Sequence, residues 1–113
     1  MITNENGGTM LRNGNLIYDT TRGVNMSLYK SGHSYLSENG CAFYKNGILS
    51  TNENIISIHN NVAFRSDGLS YKFEGATVKC DDGRIWNNVK TQEDFLDILA
   101  LELVYQERMA SGQ

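Results

Sequence analysis

No proline occurs in this chain of 113 residues, and glycine is frequent at 11. Polyproline linkers and proline-kinked helices are thereby excluded, and chain reversals fall to Gly, Asn and Asp, which suit tight hairpins. Cysteine is scarce: Cys41 and Cys80 stand alone without C-x-x-C spacing. That excludes a disulfide scaffold and predicts free thiols in a reducing cytosol. No apolar run approaches the ~18 residues of a membrane-spanning helix, and Met1–Thr9 is polar where a signal peptide would be apolar. The expected location is cytoplasmic, with no membrane partner. A basic excess is also missing. The formal charge is −3, so nucleic acid is not an expected partner.

The charge that is present is uneven. Residues 1–90 carry nine Lys/Arg against eight Asp/Glu, whereas residues 91–113 carry only Arg108 against Glu93, Asp94, Asp97, Glu102 and Glu107. Apolar residues make up 40% of the chain and charged residues 20%, the balance of an ordinary globular protein rather than a disordered one. The length suits a single domain. Residues 10–113 are expected to form it, with residues 1–9 a flexible N-terminal arm.

Short apolar runs alternate with turn pairs: Asn13-Gly14, Asn39-Gly40, Asn46-Gly47, Asp67-Gly68, Glu74-Gly75 and Asp82-Gly83. Such pairs between apolar runs are a strong hairpin signal. With two-residue loops at the last three pairs, Phe64 faces Tyr71, Tyr71 faces Val78 and Cys80 faces Ile85 across the strands. Paired residues share a face, so Val62, Phe64, Leu69, Tyr71, Phe73, Ala76, Val78, Cys80 and Ile85 are expected on the apolar side. Arg65, Ser70, Lys79 and Trp86, with Ala63, Lys72, Thr77 and Asn88, take the other. Glu74 is awkward in a loop that needs positive φ, and a bulge at Gly75 would relieve it. The Asn60-Asn61 connection also resists: with Ile56 and Ile58 inward, it demands an odd loop or a bulge. Upstream, Cys41–Tyr44 pairs with Gly47–Ser50, and Met10–Arg12 with Asn15–Tyr18. Met26–Tyr29 is the clearest strand within residues 19–40.

A helix begins after Thr91, an N-cap followed by Gln92, Glu93 and Asp94, and ends before Gly112. Phe95, Ile98, Leu99, Leu103, Tyr105 and Met109 form its apolar stripe. The predicted fold is therefore α+β, an antiparallel β-meander of about six to eight short strands with one C-terminal helix packed on the sheet. Ala100, Leu101 and Val104 lie off the stripe, beside Glu93, Asp97 and Glu107. The early strands cover that side, or it is an interface to a partner or a second copy. The candidate interface is thus Glu93, Asp97, Leu101, Val104 and Glu107.

No motif carries a chemistry. His33 and His59 have no ligand partners at metal-binding spacing, so neither metal nor cofactor is expected. A pairing of Cys41 with either histidine is the weak case for a nucleophile. Asp81 and Asp82 are adjacent turn residues whose side chains diverge. Gly7-Gly8 matches no phosphate loop. The basic sheet face, with Arg65, Lys72, Lys79, Arg84 and Trp86, is the candidate partner- or ligand-binding surface. The lack of proline, the wealth of asparagine and the small acidic chain resemble, in composition alone, proteins of phages and other mobile elements. The leading expectation is a non-enzymatic inhibitor that binds another protein, such as a phage-type inhibitor of a bacterial enzyme or defence complex. The alternatives are an oligomeric protein that sequesters a nucleotide or small anion, and a small hydrolase or nuclease using His33 or His59.

Overall fold

A computed structural model describes residues 1–38 and 40–110. The chain opens with strands β1 (Ile2–Asn4), β2 (Thr9–Asn13), β3 (Leu16–Asp19) and β4 (Met26–Ser31). It continues with β5 (Ser34–Ser37), β6 (Gly40–Lys45), β7 (Ile48–Ser50) and β8 (Ile55–His59). Strands β9 (Val62–Arg65), β10 (Ser70–Glu74), β11 (Thr77–Cys80) and β12 (Ile85–Asn87) precede the helix α1 (Gln92–Ala110). Every strand pairs antiparallel with its sequence neighbours, and β1 pairs with β12, so the meander closes into a barrel.

This corrects the predicted open meander of six to eight strands with a helix lying on it. Twelve short strands form a closed wall, and α1 runs inside it. The opening segment, expected as an arm, contains the closing strand: Thr3 pairs with Asn87 and Asn4 with Trp86, and Ile2 is buried. Gly8 makes that closure possible. A Cβ there would lie 2.6 Å from Thr21 Cα and 2.8 Å from the Thr20 carbonyl oxygen, so only glycine lets the β1–β2 turn press against the segment after β3.

The helix begins where the sequence places it. The Asp94 amide donates to Thr91 Oγ1 (3.1 Å) and the Thr91 amide donates back to Asp94 Oδ2 (3.3 Å), a reciprocal cap. Its surroundings differ from expectation. Eight consecutive residues, Asp97–Val104, are buried, which is more than two full turns. A sheet on one side cannot do that; a wall all round can. A helix apolar on every side belongs in a core, and here it is the core. An eight-stranded barrel has room for its own side chains or one small ligand, whereas twelve strands leave a bore for a helix about 10–12 Å across. Inward Ala42 and Ala63 are completely buried, as are Leu49 and Ile56 on β7 and β8. Ala100, Leu101 and Val104 are therefore covered by the wall, while Met109 is exposed at the end. The expected Asn39-Gly40 turn and the Gly112 stop fall partly or wholly on residues outside those described.

Two loops explain the register errors. The Arg65 amide donates to the Leu69 carbonyl (2.8 Å) and the Cys80 amide to that of Arg84 (2.9 Å). Asp67-Gly68 and Asp82-Gly83 thus belong to three-residue loops, each ending in a glycine with positive φ. The extra residue inverts the strand beyond it. Ala63 and Arg65 point inward and Phe64 outward; Trp86 points inward and Ile85 outward. This also resolves Asn60-Asn61, an ordinary two-residue loop with Ile58 opposite Ala63. At Glu74 no bulge is needed, because Gly75-Ala76 is the loop and Gly75 takes φ of 62°.

Candidate functional site

Two carboxylates go into the bore on the helix, five residues apart and so on nearly opposite sides of it. Asp97 accepts a hydrogen bond from the Tyr35 hydroxyl (3.0 Å) and is paired with Arg12 and with Lys30 Nζ (3.4 Å). Glu102 accepts from the Tyr71 hydroxyl (2.9 Å) and is paired with Arg84 Nη1 (2.6 Å) and Arg22 Nε (3.4 Å). Each carboxylate is thus held by one tyrosine and two cations, the cations coming from strands β2 and β4 at Asp97 and from the β3–β4 and β11–β12 loops at Glu102. Burial, reinforced by Asp97, pushes the Tyr35 hydroxyl far above its ordinary pKa, and burial with Glu102 does the same for Tyr71. Both remain hydrogen-bond donors. Burial works against the Arg84 charge, but Glu102 and Asp82 more than offset it and raise its pKa. These groups are occupied in fixing the helix.

The predicted basic surface is not assembled on one face. Lys72 and Lys79 do point outward and are cross-strand partners. Arg65 lies inside, donating to Tyr71 (3.2 Å) and gripping Asp67 through two bonds. Trp86 is buried at 2% exposure, 6.2 Å from Tyr71 between ring centroids. Arg84 sits in the β11–β12 loop over the Trp86 ring, beside a recess of about 300 Å3 that it lines with Arg22, and both guanidiniums are drawn to Glu102. Of the candidate interface, Asp97, Leu101 and Val104 are enclosed by the wall. Glu93 pairs with Lys30 and Arg12 at one mouth, and Glu107 accepts from the Glu53 amide.

His33 packs edge-on against Phe43 at 6.4 Å, and His59 ends β8. Cys41 is exposed on β6, whereas Cys80 is buried, and burial pushes its thiol up to about 11. Among the described residues, no three metal-ligating side chains come together, and no helix is long and apolar enough to cross a membrane.

The sequence reading missed the outside of the wall. Seven successive strands each contain a doublet of adjacent apolar residues: Leu16-Ile17-Tyr18 on β3, then Leu28-Tyr29, Tyr35-Leu36, Ala42-Phe43, Ile48-Leu49, Ile55-Ile56 and Ala63-Phe64. Neighbours along a strand point to opposite faces, so each doublet sends one member into the bore and the other to the surface. The outer members, with Leu11 of β2, are between 36% and 53% exposed. Every strand from β2 to β9 contributes at least one; across β2–β5 they face one another directly, and from β6 onward they alternate with Ser34, Ser50 and Ser57 as cross-strand partners. Within that arc the strands project one charged side chain outward, Lys45 at the end of β6. The shorter arc of β10–β12 and β1 projects Lys72, Glu74 and Lys79 among Ser, Thr and Asn, with Ile85 its one large apolar member. The overlooked signal was the doublets, which depart from the strict alternation of a half-buried sheet.

No family model, curated protein or solved structure matches the chain.

Proposed function

We propose that this chain is a non-enzymatic protein-binding domain, working as an inhibitor by covering a face of another macromolecule, and that the outer arc of β2–β9 is its working surface. The observation that carries this is the row of exposed large apolar side chains on eight neighbouring strands with almost no charge among them. Aromatic enrichment and depletion of charge characterise the core of a protein interface, and apolar patches of this extent on a small protein mark interaction sites. Occlusion suits a rigid body about 31 × 27 × 26 Å across. The free thiols of Cys41 and Cys80 support a reducing, cytosolic setting.

The test is a photo-crosslinking amino acid placed at Phe64 or, as control, at Lys72, in the cell that makes the protein. The expected result is a discrete adduct with a different protein from position 64 and none from position 72. Equal labelling at both positions, or no adduct from either, would overturn the assignment.

A further inference from the structure

We infer that the β2–β6 sector of the outer arc is covered by a second copy of this chain, an inference that rests on reading the arc as a protein-binding surface. The sector carries Leu11, Leu16, Tyr18, Tyr29, Leu36 and Phe43, all at least one-third exposed. Five of them are neighbours across the strands, since Leu11 faces Tyr18, Leu16 faces Tyr29 and Tyr29 faces Leu36, while Phe43 lies one strand further on, opposite Ser34.

Charge selects the occupant. A face bearing carboxylates or ammonium groups would repel its own image and call for a partner of opposite sign. This sector has one charged side chain, Lys45 at its rim on the end of β6, and otherwise combines apolar side chains with the hydroxyls of Tyr18, Tyr29, Ser27 and Ser34. A hydroxyl both donates and accepts, so two identical faces can satisfy each other's polar groups across a two-fold axis, where each contact occurs twice.

Area agrees with this. At ~150–250 Å2 for an aromatic side chain and somewhat less for leucine, the exposed fractions leave ~400–500 Å2 of apolar surface open. A standard interface of ~800 Å2 per partner, about 60% non-polar, uses ~500 Å2. Five strands ~4.8 Å apart span ~19 Å, about as much of one convex wall as another can touch. Ile48, Ile55 and Phe64, further round the barrel, stay available to a different protein.

Sedimentation of the full chain at high micromolar concentration tests the inference, with the emission of buried Trp86 as a check on folding. The wild type should sediment at twice 12.7 kDa. Tyr29→Asp should weaken the dimer by about 30-fold or more, the loss expected of an aromatic anchor. The milder Phe43→Ser should weaken it in the same sense should the aspartate disturb the fold. Phe64→Asp, outside the sector, should leave it intact. A wild type that stays monomeric overturns the second copy, as does a dimer indifferent to Tyr29→Asp and Phe43→Ser. A monomer that still forms the foreign adduct from position 64 overturns the second copy alone and leaves the protein-binding reading standing.

Discussion

The two faces of the barrel wall invert the usual arrangement of charge and grease. The inner face, wrapped round α1, buries Asp97 and Glu102 and meets each with two cations and a tyrosine hydroxyl. The outer face of β2–β9 displays leucine, isoleucine, tyrosine and phenylalanine with little charge. Buried charge is tolerated only when fully paired, and inside the bore the pairing fixes how far the helix enters and how it is turned. The outer surface has no such internal partner. The inside is therefore a problem the chain solves alone, whereas the outside fits a solution supplied by another molecule.

Breaking the inner pairing should have the largest effect. Glu102→Gln leaves Arg22 and Arg84 without their buried counter-charge and should cost about 3–5 kcal/mol in urea-induced unfolding, since removal of one member strands the others. Next comes the doublet on β8, where two isoleucines differ only in the face they take. Ile56→Ala empties a site against the helix and should cost about 2–4 kcal/mol. Ile55→Ala should change stability by about 0.5 kcal/mol or less. Equal costs at the two positions would collapse the distinction between the faces.

A third effect is set by pH. Burial raises the Asp19 carboxyl to about 6 from an ordinary 3.8, with Glu102 adding to the shift and hydrogen bonds from Thr21 opposing it. The folded chain then holds a proton that the unfolded chain has released, so this group's contribution to stability falls as pH climbs from about 4 to about 6. The loss should be about 2–3 kcal/mol, and Asp19→Asn should remove it. Asp67 and Glu93 are shifted downward, by Arg65 and Lys30 respectively. Asp82 is shifted downward as well: burial opposes the shift, but hydrogen bonds, including those of Arg84, outweigh it. These three act in the opposite sense at lower pH, leaving the window between about 5 and 6.5 to Asp19. Urea unfolding of both forms across that window checks the sign. The smallest effect belongs to the outer face: Tyr29→Asp should move the stability of the monomer by only about 0.5 kcal/mol.

How much of this was legible follows the same division. On β10 and β11 apolar and polar residues alternate strictly, and Tyr71, Phe73, Val78 and Cys80 lie inside with Lys72 and Lys79 outside, as the sequence implied. The Thr91 cap and the start of α1 were equally readable, because capping is local chemistry. On β3–β9 both faces are apolar, so periodicity loses its power to assign a side. At Ala63-Phe64 the larger residue looked like the inner one. Ala63 is instead the fully buried member and Phe64 is half-exposed. The three-residue loops at Asp67-Gly68 and Asp82-Gly83 then inverted Trp86 and Arg65, since a pair of turn residues does not announce whether a third joins it. Closure was invisible for another reason. It depends on β1 meeting β12 from the far end of the strand order, and no local pattern encodes that encounter. The outer apolar row was missed because Phe64 was placed on the core side and the upstream strands offered no alternation by which to assign a face.

Oxidative footprinting by hydroxyl radicals, read residue by residue in a mass spectrometer, tests the two-faced wall most directly. Tyr35, Tyr71 and Trp86 should resist modification at every protein concentration, since the helix and the barrel cover them. Tyr18, Tyr29 and Phe43 should be modified readily when the protein is dilute and become protected as it is concentrated, with Lys72 and Lys79 unchanged throughout. Modification of Tyr71 and Trp86 in the folded chain, or outer aromatics equally reactive at all concentrations, would contradict the account.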